Sequence, residues 1–158
     1  MTPGRDRGRG SDPGLDVSRW GRLGAKGQPA GSVARCRLAR ILIVDDDPSI
    51  RFMLRLMLER AGHEVGEAQH GAAALAVLEG ELPDLVLTDL MMPVIGGAEL
   101  VRLLRAEPRT ASLRIMVVSA NPGAIGEGSR ADAVLAKPFI QAELLEQVTS
   151  LLRLRETA

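Results

Sequence analysis

Four short, largely apolar segments constrain the fold of this chain more than any other feature of its sequence. They lie at residues 41–44, 85–88, 115–118 and 134–136. Short apolar runs without alternation are typical of strands that are covered on both faces of a sheet. Residues with helical spacing separate or follow these runs. The sequence therefore predicts an α/β, doubly wound fold, with a parallel sheet, right-handed crossovers and helices on both faces.

The connecting segments complete this pattern. Asp47 suits a helix N-cap, Pro48 suits the first helical position, and Gly62 suits the residue after the helix end. A poorer, charged strand is predicted at 64–68, at an edge of the sheet, which brings the number of strands to five. The other predicted helices are a short one at 72–79, one that buries Leu100, Val101 and Leu104, and one at 141–153.

Charge divides the chain into two parts. Residues 1–40 carry nine Arg or Lys against three Asp, a net of 9 − 3 = +6, so residues 41–158 carry 11 − 17 = −6. The first part is rich in Gly, Pro and Arg and has no apolar period, so we predict a disordered tail at 1–39 and one domain at 40–155. The tail is interpreted as a basic arm for nucleic acid or an acidic partner, as a solvated tail, or as the result of a wrongly assigned start, with the true start near Val33. We favour the last two, because a short, mixed charge run is a weak motif.

Composition excludes several classes of protein. Hydrophobic residues make up 46% of the 158, but only Trp20, Phe52 and Phe139 are aromatic, so the core must be aliphatic. The one cysteine, Cys36, excludes an internal disulfide framework and a multi-cysteine zinc site. No apolar run approaches the roughly 18 residues that span a bilayer, and no segment resembles a signal peptide. We therefore predict a cytoplasmic protein that does not associate with membranes.

Polar residues follow the predicted buried strands. Asp45 and Asp46 follow the first, Asp89 follows LVLT, and Ser119 and Lys137 end the last two. The carboxyl ends of parallel strands form the ligand-binding edge of such sheets. Clustered carboxylates repel one another unless they are protonated or share a cation, and Mg²⁺ prefers such oxygen ligands. The sequence therefore predicts a magnesium site at this edge, partly neutralised by the lysine. His63 and His70 lie off the cluster and are expected at the surface.

Four motifs carry a resemblance to a known family. ILIVDDDPSIR, PDLVLTDLMMPVIGG, IMVVSAN and AKPF occur in this order between residues 40 and 155. Together they resemble the receiver domain of two-component response regulators, in particular stand-alone receivers of the CheY type. The resemblance implies a flavodoxin-like, five-stranded sheet with strand order 2-1-3-4-5.

The resemblance also implies roles for individual residues. Asp89 matches the phospho-accepting aspartate, which would form an aspartyl phosphate. Asp46 matches a direct Mg²⁺ ligand and Asp45 a ligand that acts largely through water. The backbone carbonyl of Met91 would be a further ligand.

The remaining matches concern the switch. Lys137 would pair with Asp89 and then with the phosphoryl oxygens, and Ser119 would turn its hydroxyl towards the new phosphoryl group. The Lys137–Pro138 peptide bond would be cis. The implied function is phosphorelay signal transduction, and the only chemistry expected is the domain's own phosphorylation and dephosphorylation, so it is not a conventional enzyme.

Partners follow from the same resemblance. A sensor histidine kinase or a phosphotransfer protein would supply the phosphoryl group. No output domain is expected, because the sequence ends just after the last helix. The domain would signal by docking to an output protein, whose identity is unknown, or by passing the phosphoryl group on. Nucleic-acid binding is not expected, and the basic segment at 1–40 is the only hint of it.

Two departures from the family concern the readout. Val134 stands where many relatives have a Tyr or Phe that moves with the Ser/Thr, so the usual aromatic switch cannot operate. Ser119 and Lys137 are 18 positions apart, fewer than usual, and the segment between them is rich in glycine. We therefore predict that the fourth helix of the family is short or absent.

Two alternatives stay open on the sequence alone. One is a receiver-like binding module that keeps the fold but does not switch. The other is a haloacid-dehalogenase-type phosphatase, in which Asp45 would be the nucleophile and Asp47 the general acid. The second alternative leaves Asp89 without a role, and it lacks a convincing acidic motif after Lys137.

Overall fold

Strands and helices alternate along the chain from residue 40 onward. The computed structural model describes residues 15–16, 38–126 and 128–154. The strands are β1 Leu15–Asp16, β2 Arg40–Val44, β3 Glu64–Ala68, β4 Leu85–Thr88, β5 Arg114–Ser119 and β6 Ala133–Ala136. The helices are α1 Pro48–Arg60, α2 Gly71–Leu78, α3 Gly97–Ala106 and α4 Gln141–Arg153, with a 3₁₀ turn at Pro122–Ile125. None of the helices in the described ranges combines the length and apolar character needed to cross a membrane.

The sheet has the predicted topology. Its strand order is β1-β3-β2-β4-β5-β6, and β3, β2, β4, β5 and β6 are mutually parallel. If β1 is left out and the five parallel strands are numbered along the chain, their order in the sheet is 2-1-3-4-5. The prediction of a doubly wound, five-stranded parallel sheet is therefore confirmed.

The sixth strand, β1, was not predicted. Leu15 and Asp16 pair antiparallel with Ala68 and Glu67 at the outer edge of β3. The disordered tail at 1–39 and the domain at 40–155 stay predictions. An edge strand presents unpaired backbone groups, and a two-residue pairing to them needs no apolar periodicity in the sequence. Ala39 is also buried, so the folded part begins slightly before residue 40. The other tail residues, up to 37, lie outside the described residues.

The core is split between the two faces of the sheet. On one face, α2 and α3 pack against alternate strand residues such as Leu42, Val86 and Ile115. On the other face, α1 and α4 pack against the intervening residues such as Ile43 and Leu87. Alternate residues of a strand point to opposite faces, so each apolar strand supplies both layers of the core.

Local signals set the ends of α1. The Asp47 carboxylate accepts hydrogen bonds from the backbone N–H groups of Ser49 (2.8 Å) and Ile50 (3.3 Å). Pro48 stands in the first turn, and Gly62 follows the helix with φ +93°. The role of Asp47 as a helix cap, predicted from the sequence, is confirmed.

Each of the two histidines accepts a hydrogen bond from a backbone N–H group. His70 caps α2, because its Nδ1 accepts a hydrogen bond from the Ala73 N–H at 3.0 Å. His63 Nδ1 accepts from the Ala39 N–H at 3.4 Å, and burial lowers the pKa of its imidazole. Both side chains are half-buried, and each makes a hydrogen bond that the expectation of a surface position did not include. Neither contact could be recognised from apolar periodicity.

The connection between β5 and β6 contains a single 3₁₀ turn, Pro122–Ile125, among the residues described there. The connection between two neighbouring parallel strands usually contains an α-helix. The prediction that the fourth helix of the family is short or degenerate is confirmed.

Candidate functional site

The ends of two central strands bring two carboxylates together. In the β2–β4 pair Val44 lies opposite Thr88, and the next residue on each strand is Asp45 or Asp89. The Asp89 N–H donates to the Val44 carbonyl at 3.0 Å, so the ladder continues to this point. Neighbouring parallel strands therefore place Asp45 and Asp89 side by side at the carboxyl edge of the sheet.

Three carboxylates form one cluster at this edge. One oxygen from each of Asp45, Asp46 and Asp89 lies within 4.8 Å of the others. Asp45 is 2% exposed, and the Asp89 side chain is 12% exposed. Asp46 lies at the exposed side of the cluster. The structure thus brings together the three aspartates that the sequence predicted as metal ligands.

Lys137 places its ammonium group against this cluster. Its Nζ lies 3.1 Å from Asp45 Oδ2 and 3.7 Å from Asp89 Oδ1. The expected approach to Asp89 is present, but the shorter contact is with Asp45. The lysine side chain is 19% exposed, so bulk water screens this contact less than it screens surface ion pairs.

Burial dominates the titration of Asp45. Desolvation raises the pKa of its carboxyl above the usual range, and the neighbouring Asp89 charge adds to the rise. Hydrogen bonds from the Asp47 N–H, at 2.9 Å, and from Lys137 oppose it. Burial therefore disfavours the charged form of Asp45, and a further cation at the cluster would favour it.

Ser119 and Lys137 lie at the ends of neighbouring strands. Ser119 lies opposite Ala136, and its carbonyl accepts from the Lys137 N–H at 2.9 Å. Ser119 is buried, and its Oγ accepts a hydrogen bond from the Asn121 N–H at 3.1 Å. The Lys137–Pro138 peptide bond is cis, as the resemblance implied.

Arg51 is a part of the site that the sequence reasoning missed. Its guanidinium donates to the Asp45 carbonyl at 2.6 Å and lies 3.5 Å from the Glu67 carboxylate. Arg55 also binds Glu67, at 2.6 Å. This arrangement ties the loop after β2 to β3. Arg51 lies on the helix after the DDD motif, and nothing in the sequence indicated that its side chain would reach back to the Asp45 carbonyl.

Gly97 is the second missed residue. A Cβ at this position would lie 1.9 Å from the Asp89 carbonyl oxygen and 2.8 Å from its carbonyl carbon. The start of α3 is therefore in direct contact with the backbone of Asp89. Only a residue without a side chain permits this approach.

The loop between β4 and α3 carries backbone strain. Val94 has φ +68° and is 88% exposed. A β-branched residue is rarely found in this left-handed region, which favours glycine and asparagine.

Comparison with known proteins agrees with this geometry. Residues 41–149 match the model of the response regulator receiver domain. The chain belongs to the response regulator receiver family. Receiver domains are signalling domains of two-component systems, and they interact with histidine kinases or phosphotransfer proteins.

Individual relatives show how far the similarity extends. Protein PilH from Pseudomonas aeruginosa is 34% identical over 119 residues, which cover 73% of this chain and 98% of PilH. The DNA-binding dual master transcriptional regulator RpaA from Synechocystis is 39% identical over 121 residues. That match covers 73% of this chain but only 50% of RpaA, so this chain spans about half the length of such regulators.

A solved structure supports the same fold. The response regulator protein TrrA from Thermotoga maritima, in complex with Mg²⁺-BeF, superimposes with a TM-score of 0.67 at 34% identity. The match covers 72% of this chain and 99% of TrrA.

The donor set of this receiver fits a magnesium ion. The three carboxylates of the cluster offer hard oxygen ligands, and a cation would favour the charged form of Asp45, whose pKa is raised by burial. Receiver domains bind Mg²⁺ at an acidic site of this kind.

Family membership disfavours the phosphatase alternative. In that alternative Asp47 would be a general acid, whereas here its carboxylate caps α1. Asp89, which the phosphatase alternative leaves unused, lies inside the carboxylate cluster.

Proposed function

We propose that this receiver accepts a phosphoryl group on Asp89 from a histidine kinase or a phosphotransfer protein. The observation that carries the proposal is the position of Asp89, which has a carboxylate oxygen within 4.8 Å of two further aspartates and 3.7 Å from the Lys137 ammonium. An Asp89 oxygen would bond to phosphorus as the bond from phosphorus to the donor's imidazole nitrogen breaks. The imidazole would leave with the electron pair of that bond.

The site residues would act mainly by positioning and neutralisation. Phosphoryl transfer proceeds through a loose transition state, with charge spread over the equatorial oxygens. Asp89 is oriented by its own backbone, because Oδ1 accepts from the Leu90 N–H at 2.8 Å. Lys137 lies 3.7 Å from the same oxygen and can follow the charge to the phosphoryl group.

Asp45, Asp46, Asp89 and the backbone carbonyl of Met91 would hold the Mg²⁺ ion. When bound, the ion supplies positive charge that neutralises the phosphoryl oxygens. Asp45 is the most buried of the three carboxylates and is already engaged by Lys137 and the Asp47 N–H, which is compatible with a ligand that acts through water.

Phosphorylation would be read through Ser119. The aspartyl phosphate adds about −1.5 to −2 charges and three acceptor oxygens. The Ser119 hydroxyl accepts from Asn121 in this structure, so its own proton is available for donation to a phosphoryl oxygen. Val134, which is 38% exposed on β6, replaces the aromatic residue of many relatives. The readout would therefore run through the loop after β5 rather than through an aromatic rotamer.

We further propose that residues 40–155 act as a single receiver domain. The signal would leave by docking to an output protein or by onward phosphotransfer. RpaA is a DNA-binding regulator by name, but the match covers half of it, and we do not extend that activity to this chain. The cytoplasmic location and the absence of nucleic-acid binding stay predictions from the sequence.

Intact-protein mass spectrometry after incubation with acetyl phosphate and Mg²⁺ tests the proposal. We expect one phosphoryl adduct in the wild type, and none in Asp89→Asn or in the presence of EDTA. Asp47→Asn is the matched control, because it changes an adjacent, exposed carboxylate that only caps α1. This variant should still be phosphorylated.

Two outcomes would contradict the proposal. An adduct that persists in Asp89→Asn and disappears in Asp45→Asn would favour the phosphatase chemistry. A wild type that binds Mg²⁺ but forms no adduct and releases no phosphate would favour the module that does not switch.

A further inference from the structure

Thr88 is a polar residue in an apolar row of the core. It is 1% exposed, and it lies opposite Val44 in the β2–β4 pair and opposite Val117 in the β4–β5 pair. The two valines belong to the core layer under α2 and α3, and side chains in register on neighbouring strands point to the same face. A valine at position 88 would have the same branched shape and would suit this row. The hydroxyl is therefore the feature of Thr88 that packing does not explain.

The hydroxyl of Thr88 binds the backbone of the proposed phospho-acceptor. Thr88 Oγ1 donates to the Asp89 carbonyl at 3.0 Å. The start of α3 packs directly against the same carbonyl, since a Cβ on Gly97 would lie 1.9 Å from its oxygen. A carbonyl packed against a helix in this way needs a donor inside the protein, and Thr88 supplies one.

The neighbouring polar groups of Asp89 and Leu90 are held by backbone groups. The Asp89 N–H donates to the Val44 carbonyl at 3.0 Å, and Asp89 Oδ1 accepts from the Leu90 N–H at 2.8 Å. The Leu90 carbonyl accepts from the Gly97 N–H at 2.9 Å. Within this set, the contact from Thr88 is the one that depends on the side chain of a neighbouring residue.

The Asp89 carbonyl lies between two of the groups proposed to hold Mg²⁺. One is the Asp89 carboxylate, and the other is the carbonyl of Met91, two residues further on. The peptide unit is planar, so a hydrogen bond that fixes the Asp89 carbonyl also fixes the direction in which the chain leaves Asp89. Small displacements of reacting groups are costly, because a shift of about 1 Å can lower a rate by about 100-fold.

We propose that Thr88 is a positioning residue for phosphoryl transfer to Asp89. Its buried hydroxyl orients the Asp89 peptide so that the Asp89 carboxylate and the Met91 carbonyl face the same ion. Thr88 acts through the backbone of Asp89 and not by contact with the phosphoryl group. This inference rests on the proposed function, because it assigns a further role in the same site.

Thr88→Val isolates the hydrogen bond, because it removes the hydroxyl and keeps the branched shape. In the full chain we expect it to weaken Mg²⁺ binding by at least about tenfold in calorimetry. At saturating Mg²⁺ it should also slow formation of the acetyl phosphate adduct by at least about tenfold. Thr88→Ser keeps a hydroxyl and should restore both quantities to within about threefold of the wild type.

Thr110→Val is the matched control. Thr110 is also buried, and its Oγ1 donates to the Leu104 carbonyl at 2.8 Å, away from the carboxylate cluster. Loss of this hydroxyl should lower the urea midpoint about as much as Thr88→Val does, because both changes leave a carbonyl without its donor. It should leave the Mg²⁺ affinity and the rate of phosphorylation within about twofold of the wild type.

Three results would overturn the role of Thr88. They are a Thr88→Val protein with the Mg²⁺ affinity and rate of the wild type, an equal loss of either in Thr110→Val, and a Thr88→Ser protein that restores neither. A wild type that binds Mg²⁺ but forms no adduct would instead contradict the proposed function. In that case the Mg²⁺ affinities of the same variants would still decide whether Thr88 positions the site.

Discussion

The close contact between α3 and the backbone of Asp89 makes Gly97→Ala the sharpest test of this structure. The new Cβ would lie 1.9 Å from the Asp89 carbonyl oxygen, whereas ordinary contact begins at 3.4 Å, a shortfall of 3.4 − 1.9 = 1.5 Å. The Asp89 carbonyl carbon and the Leu90 Cα would lie at 2.8 and 2.9 Å. All three atoms belong to the backbone, so no side-chain rotation can relieve the clash.

The expected cost follows from this geometry. Overpacking a well-packed site costs about 1–3 kcal/mol, and a clash with rigid backbone belongs at the upper end of that range. Replacing glycine by alanine in a helix returns at most about 1 kcal/mol. We therefore expect Gly97→Ala to lower the free energy of unfolding by about 2 kcal/mol. The displaced backbone should also slow phosphorylation of Asp89.

Urea denaturation followed by circular dichroism measures the first effect, and the time course of the acetyl phosphate adduct measures the second. Gly123→Ala is the matched control, because its Cβ would meet only the Asn121 side chain, at 3.7 Å. This control should stay within about 0.5 kcal/mol of the wild type. A Gly97→Ala protein as stable as the control would refute the contact, and with it the argument that α3 positions Asp89.

Three further predictions concern the same edge of the sheet. Val94→Asn should raise the free energy of unfolding by about 1 kcal/mol, because it relieves a β-branched residue at φ +68° that is 88% exposed; an unchanged thermal midpoint would contradict this. Arg51→Ala should weaken Mg²⁺ binding by about tenfold in calorimetry, because it releases the Asp45 carbonyl, whereas Arg60→Ala, exposed on the same helix, should not; equal effects of the two variants would argue against a positioning role. Asp45→Asn should stabilise the protein at pH 7 in EDTA, because burial raises the pKa of Asp45 and so disfavours its charged form in the folded state. The stability that the protonated carboxyl provides is complete below the ordinary pKa of 3.8 and is lost as the pH rises through the folded-state value. The gain from Asp45→Asn should therefore shrink in urea titrations as the pH falls towards 3.8, and a gain independent of pH would contradict the assignment.

Much of the fold was predictable because its determinants are local. The buried strands at 85–88 and 115–118 are apolar runs, and the cap of α1 is read from Asp47 and Pro48. Parallel strands in alternation with helices allow few arrangements. The carboxylate cluster was predictable for the same reason, since parallel strands end at one edge of the sheet.

Other features could not be predicted, because they depend on contacts between distant parts of the chain. The pairing of Leu15 and Asp16 with β3 is made by backbone groups and leaves no side-chain signature. His70 resembles any polar residue before a helix until its Nδ1 is seen to accept from α2.

The sequence by itself determined the class of fold and the polar residues at the strand ends, because both follow from the local order of apolar and polar residues. The order of the strands was implied by the family resemblance. Only the tertiary structure decided how these residues meet. It placed Lys137 nearer to Asp45 than to Asp89, brought Arg51 back onto the Asp45 carbonyl, and pressed Gly97 against the backbone of Asp89. Such distances depend on how helices pack on both faces of the sheet, and that packing is a property of the whole core rather than of any local run of residues.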